Sequence, residues 1–182
     1  GSEMREISKT YGQDVSDVAD TFYNVISATV DTKNAIDYVR VASEMAVGGF
    51  AEMDTAVGGL TASMASYKKM GYDMYRIGDL LAQTQVYGKT TINELSLSLG
   101  TVLPFASNVG MSFEDLSTAM AVLTSNGLDT AMATTAFKNA ISSILHPSSQ
   151  ATKAFEKMGV AYGSQAFSKM DFTTYLENLR EA

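Results

Sequence analysis

Residues 71–145 read GYDMYRIGDLLAQTQVY (71–87), GKTTINELSLSLGTVLPFASNV (88–109), GMSFEDLSTAMAVLTSN (110–126) and GLDTAMATTAFKNAISSIL (127–145), and this run decides the fold. Glycines at 71, 88, 110 and 127 cut an apolar, helix-compatible sequence into pieces of similar length. Glycine ends helices because it enters the left-handed conformation of a C-cap without a side-chain clash. Two helix pairs are therefore predicted. Laying Gly71 on Gly110 also lays Ala82 on Ala121, Gly88 on Gly127 and Thr91 on Thr130, a weak repeat of 39 residues that reads as stacked α-hairpins.

Start signals agree with the stops. Asp73 stands before Ile77, Leu80 and Leu81, and Thr90 or Thr91 with Glu94 forms a capping-box pattern before Ile92, Leu95 and Leu99. Ser112 with Asp115 opens Phe113, Leu116, Met120 and Leu123, and Asp129 or Thr130 opens the stripe Ala133, Phe137, Ile141, Leu145. Pro104 predicts a kink or break near Gly100 to Leu103, since proline lacks an N–H and clashes with the carbonyl four residues back.

Upstream, residues to about Gly12 are polar and expected to be frayed or loosely helical; Gly1-Ser2 has the look of a cloning remnant. Val15, Val18, Phe22, Val25, Ile26 and Val30 follow helical spacing behind Asp14 or Ser16, and a second helix starts at Asp31 or Thr32 and closes at Gly48-Gly49. A third runs from Glu52 or Asp54 to Met70 with Gly58-Gly59 inside it, which requires either a bend or the close approach of another backbone. Downstream, Ser148 or Ser149 opens a short helix stopped by Gly159, and residues 160–162 are at most a short strand. Asp171 caps a terminal amphipathic helix carrying Phe172, Tyr175, Leu176 and Leu179, with its partner surface expected outside this sequence. The expected core is Val18, Phe22, Ile26, Ile36, Val39, Leu60, Ile77, Leu80, Leu95, Leu99, Leu116, Met120, Leu123, Phe137, Ile141 and Leu145.

The prediction is an all-α bundle of stacked hairpins, with about eight helices. Residues 13–182 form the helical domain, with 13–70 and 71–182 as alternative sub-lobes. A hydrophobic content of 46% with 18% charged residues excludes a disordered chain. A net charge of −7 with no basic cluster beyond Lys68-Lys69 disfavours direct nucleic-acid binding, because the chain repels a phosphate backbone. No apolar run reaches the ~18 to 20 residues that span a bilayer.

Chemistry finds few footholds. Cysteine is absent, which removes disulfides, thiolate metal sites and a thiol nucleophile together. His146 is the single histidine; before Pro147 at a helix end it reads as a cap residue, not a general base. Glu114-Asp115 and Asp14, Asp17 and Asp20 are explained by first helical turns, where acids oppose the positive helix end. No catalytic, cofactor or metal site is predicted. The marked residues are the helix-stop glycines Gly71, Gly88, Gly110, Gly127 and Gly159 and the caps Thr91, Ser112 and Asp129. Methionines spread through the helices read as core filling, and Tyr72, Tyr75 and Tyr87 as rim packing around one helix pair.

The strings VGGFAEMDTAVGGLTASMASY at 47–67, GKTTINELSLSLGTVLPFASNVGMSFEDLSTAMAVLTSNGLDTAMATTAFKNAISSI at 88–144 and HPSSQATKAFEKMGV at 146–160 occur in an order that resembles the core region of phage tail tape-measure proteins. The resemblance implies a virion component, made in the bacterial host cytoplasm and prophage-encoded in some hosts, that takes part in tail assembly, tail-length determination and DNA ejection. It implies tube subunits and tail assembly chaperones as partners, with self-association open, and no enzyme activity in this segment. The alternatives are a cell-wall-degrading module of a tail protein and a helical module that binds tail chaperone or tube subunits.

Overall fold

The structure, a computed structural model, describes residues 1–28, 32–167 and 170–182. Among the described residues it holds eleven α-helices and no strand: α1 Ser2–Tyr11, α2 Val15–Ser27, α3 Thr32–Gly49, α4 Met53–Tyr67, α5 Met74–Tyr87, α6 Ile92–Ser98, α7 Leu103–Asn108, α8 Phe113–Ser125, α9 Thr130–Leu145, α10 Ser149–Met158 and α11 Phe172–Glu181. Short 3₁₀ turns cover Lys68–Met70, Leu99–Thr101 and Gly163–Gln165. The chain is all-α, as the glycine spacing predicts. Val30 and Asp31, assigned above to helix faces and starts, lie outside the described residues.

The repeat extends further upstream than the sequence reading placed it. Gly49, Gly88 and Gly127 fall 39 residues apart, and three hairpins follow that step: α3–α4, α5 with α6–α7, and α8–α9. Helices α3, α5 and α8 stack in one row, and α4, α6 and α9 in a second. Core positions repeat with the hairpins: Tyr38, Ile77 and Leu116 are all buried, as are Ala42, Leu81 and Met120. Stacked counterparts run parallel. Arg76 meets Glu114 near the starts of α5 and α8, while the end of α5 at Gly88 abuts Ala121 and Thr124 near the end of α8.

Helices α6 and α7 together occupy the place that α4 fills as one helix. Pro104 would clash with the carbonyl of Gly100, and the chain answers with a 3₁₀ turn at Leu99–Thr101 before α7 starts with its proline in the first turn. Gly59 resolves the alternative left open for α4. A Cβ there would lie 2.3 Å from Ser96 Oγ and 2.8 Å from the Ser96 Cα, so α4 and α6 cross backbone to backbone. Gly49 leaves room in turn for the Ile92 side chain, which an added Cβ would meet at 2.6–2.9 Å.

One apolar cluster runs from Ile7 to Phe172, and a smaller one gathers Ile144, Ala166 and Tyr175. Three expectations are corrected by it. The first twelve residues are not frayed: α1 is a full helix whose Ile7 is completely buried, and Gly12 closes it in the left-handed conformation. In α2 the inward stripe is Val18, Thr21 and Val25, which turns Phe22 and Ile26 to its flank. Ile36, Leu123 and Leu145 are also half-buried instead of central, while Val18, Val39, Leu60, Ile77, Leu95 and Ile141 sit fully inside. Lastly, α11 finds its partner within the chain. Phe172 packs edge-on to Phe137 and stacks on Phe167, Tyr175 is buried, and the Tyr175 hydroxyl donates to the Ala161 carbonyl at 2.8 Å. That bond holds residues 160–162 as a plain extended linker.

Candidate functional site

Four of the five helix-stop glycines, Gly71, Gly110, Gly127 and Gly159, adopt positive φ. Gly88 does not. Its φ of −96° and ψ of 174° are open to any residue, and it is glycine for space: a Cβ would meet Thr124 Oγ1 at 2.5 Å and the Thr84 carbonyl at 2.8 Å. The three named caps each accept a backbone N–H: Thr91 from Glu94, Ser112 from Asp115 and Asp129 from Met132. The Thr91 cap is reciprocal, and the Glu94 carboxylate that completes it also accepts from Thr130 Oγ1 at 3.2 Å. Thr130 Oγ1 in turn lies 2.7 Å from Thr90 Oγ1. The start of α6 is thereby tied to the start of α9.

No group of three or more His, Asp or Glu converges among the described residues, and His146 is exposed at the end of α9. No helix among them is long and apolar enough to cross a membrane. The most connected polar group joins the second and third layers instead. The Tyr72 hydroxyl accepts the Phe113 backbone N–H at 2.9 Å and donates to Glu114, filling one of the donors that the first turn of α8 leaves unmatched. Arg76 adds a 3.0 Å bond and ion pair to the same carboxylate. Burial alone would raise the Glu114 pKa, but the bonds from Tyr72 and Arg76 outweigh it and hold the carboxyl below the usual range. Burial first, then the bond to Glu114, pushes the Tyr72 phenol up. Beneath it, Tyr67 and Phe113 meet edge to face at 5.1 Å, both fully buried. Sequence reasoning placed Tyr72 at a rim. Nothing in helical periodicity signals a hydroxyl that reaches 41 residues along the chain.

Two grooves run between stacked helices, and they are copies of each other. In the first, Val41, Glu44 and Met45 of α3 face Gly78, Asp79 and Ala82 of α5. Adding 39 to each number gives Leu80, Gln83 and Thr84 of α5 facing Ser117, Thr118 and Ala121 of α8, which line the second, a cavity of about 350 Å³. Exposed Tyr87 and Val122 edge this second groove. Its lining is apolar and hydroxyl-bearing, with charge only at the Arg76–Glu114 end, which suits a packed side chain or helix better than a reacting substrate.

Parallel hairpins at constant step, with grooves in register and no converging reactive groups among the described residues, define a stacked-helix scaffold. This chain belongs to the phage-related minor tail protein family, whose model matches residues 1–182. Over 119 residues it is 30% identical to a probable tape measure protein of Clostridium phage phiCD119, a stretch that covers 63% of this chain and 13% of that protein. No solved structure matches.

Proposed function

We propose that this chain is a folded structural segment of a tape-measure-type tail protein, acting in tail assembly and, through the whole protein, in setting tail length and in DNA ejection. The observation that carries the reading is the family match along all 182 residues together with the likeness to a probable tape measure protein. The scaffold-like site is in keeping with it. Tail tube subunits and tail assembly chaperones are the partners that a part of this kind meets, and the virion tail is where it acts. Catalysis has no place in the proposal.

An in-frame deletion of these residues from a tail-forming phage tests it. As one continuous helix, 182 residues would span ~270 Å. Failed assembly, or tails shortened by up to that length, is the expected result in electron micrographs. Tails of normal length that infect normally would refute the role. Loss of turbidity when the purified chain meets peptidoglycan would replace it with the wall-degrading reading.

A further inference from the structure

Among the described residues, five helices end in the same turn, in which an N–H reaches back to the carbonyl five residues earlier: Gln13 to Ser8, Ala51 to Ala46, Met111 to Ala106, Leu128 to Leu123 and Val160 to Phe155. The residue before each donor is left-handed, and in four of these turns it is a glycine: Gly12, Gly110, Gly127 and Gly159. The fifth is Phe50, with φ 50°. A bulky side chain is disfavoured in that conformation, and packing returns nothing for it, since Phe50 is 97% exposed. Val47, in the last turn of α3 just before it, is exposed as well. Neither backbone nor core calls for a phenylalanine here.

Immediately after Phe50, residues 51–54 form one wall of a groove whose other wall is α2, with Asp17, Asp20 and Thr21. Asp54 is held inside it by Thr21 and Asn24 at 3.2 and 3.3 Å. Asp17, Asp20 and Glu52 are exposed, and neither ion pair among the described residues, Arg76–Glu114 and Arg180–Glu181, involves them. Residues 1–54 hold ten of the 20 acidic residues but four of the 13 basic ones, so the negative charge is concentrated at this end. At the other end of the rows, beyond α9, α10 has no buried residue. What holds it is Phe155, stacked on Tyr162 at 5.9 Å, and the Tyr162 hydroxyl, which donates to Glu156 at 3.0 Å. Ten helical residues are marginal without a packed face. Half-buried Ala151, Thr152 and Phe155 mark its inner side; away from them, Lys153 and Lys157 make one exposed row and Ala154 and Met158 the next.

We infer that α10 of one copy of this chain docks beside Phe50 of a second copy. Lys153 and Lys157 meet the carboxylates of Asp17, Asp20 and Glu52, while Ala154 and Met158 lie against the Phe50 ring. Charge fixes the pairing, because each surface carries the sign and the apolar strip that the other lacks a partner for. Within one chain the two cannot meet: α2 packs on α1, α3 and α4, and α9, which leads to α10, packs on α6, α7 and α8. The contact is therefore head-to-tail, and each end copy keeps one surface free for the next. The inference uses these surfaces alone and stands apart from the proposed role in the tail.

The test is sedimentation velocity of the 182-residue protein from about 10 μM to 1 mM, at low and at high salt. Association that grows with concentration is expected at low salt, weakened about tenfold or more at high salt. Two variants separate the surfaces. Phe50→Gly removes the ring and relieves the left-handed backbone, so its thermal melt should be unchanged or raised; Lys153→Glu combined with Lys157→Glu reverses the exposed row of α10 and should leave the melt unchanged. Each variant alone should be monomeric. Mixed, they should give a one-to-one dimer that grows no further, because the first keeps its α10 and the second keeps its Phe50 groove. A wild-type protein that stays monomeric, association that neither variant weakens, or a mixture that stays monomeric overturns the inference. So does a Lys153→Glu, Lys157→Glu protein that still dimerises while Phe50→Gly does not, which would make the contact symmetric.

Discussion

Gly58 and Gly59 are neighbours in one helix, and alanine at each should move stability in opposite directions. At Gly58 an added Cβ meets nothing within 4 Å and the position is exposed. The substitution there removes a helix-weakening glycine and should stabilise by about 0.5–1 kcal/mol. At Gly59 the same propensity gain applies, but the methyl would lie 2.6 Å from the Ser96 Cβ and 2.8 Å from its Cα, against an ordinary contact of 3.4 Å or more. The Oγ can rotate away; the backbone cannot. Helices α4 and α6 would have to part by about 0.6–0.8 Å at a crossing that buries Ala56, Leu60 and Leu95 completely. Overpacking of this kind costs about 1–3 kcal/mol, and loosened contacts add to it, so a net loss of about 1–2 kcal/mol is expected. For a chain of this size that corresponds to a melting temperature lowered by roughly 2–8 °C for Gly59→Ala and raised by roughly 1–4 °C for Gly58→Ala. Thermal melts and urea titrations followed by far-ultraviolet circular dichroism measure both, with the urea slope unchanged if the native fold is kept. Ser96→Gly in the Gly59→Ala background removes two of the three close atoms and should restore part of the loss. Equal stabilisation by both alanines would refute the backbone-to-backbone crossing and everything argued from it.

Tyr72→Phe keeps the ring but removes the hydroxyl that Phe113 and Glu114 share; the Phe113 N–H is then left without its partner, and a loss of about 1–3 kcal/mol in urea titrations is expected. A loss no larger than that of Tyr75→Phe, whose ring is half exposed, would contradict the node. The pH dependence has two limbs. Glu114 titrates below its ordinary value when folded, so its contribution is present above the usual carboxylate range and is lost as pH falls through the lowered value. Tyr67, pushed up by burial and then by the charges of Tyr72, Asp115 and Glu114, and Tyr72, pushed up by burial and then by Glu114, favour the neutral phenol. Their contribution is whole below about pH 10 and drains away above it. Melts should therefore hold steady around neutrality and fall on both sides, and Tyr72→Phe should flatten the acid limb by removing one cause of the Glu114 shift.

The turns of this fold were legible because their signals are local. A Ser, Thr or Asp three residues ahead of the N–H it accepts, and a glycine at the end of an apolar stripe, are written within a few positions of where they act. Thr91, Ser112, Asp129 and Asp171 all accept as caps. Gly88 does end α5, as its C-cap, but its extended backbone shows that a glycine chosen for conformation and one chosen for clearance read alike until the neighbouring helix is in place. The first layer of the repeat escaped notice for a related reason: the step survives in buried positions such as Tyr38, Ile77 and Leu116, whose side chains share depth but not identity. The burial of α1 and α11 was illegible from their own polar sequences, since their apolar stripes are short and the partner surfaces, Phe137 among them, come from distant segments.

Parallel layers of constant step also say how such a body comes apart under load. Each hairpin leans on its neighbours in the row, with α1 and α2 over the first and α11 against the last, so tension applied at the two termini strips these terminal helices first, then the outermost hairpins, and leaves the inner one standing longest. Every repeat surrendered pays out 39 residues, ~130 Å of extended chain, and a body some tens of ångströms across thereby stores a thread many times its own width, released in equal lengths.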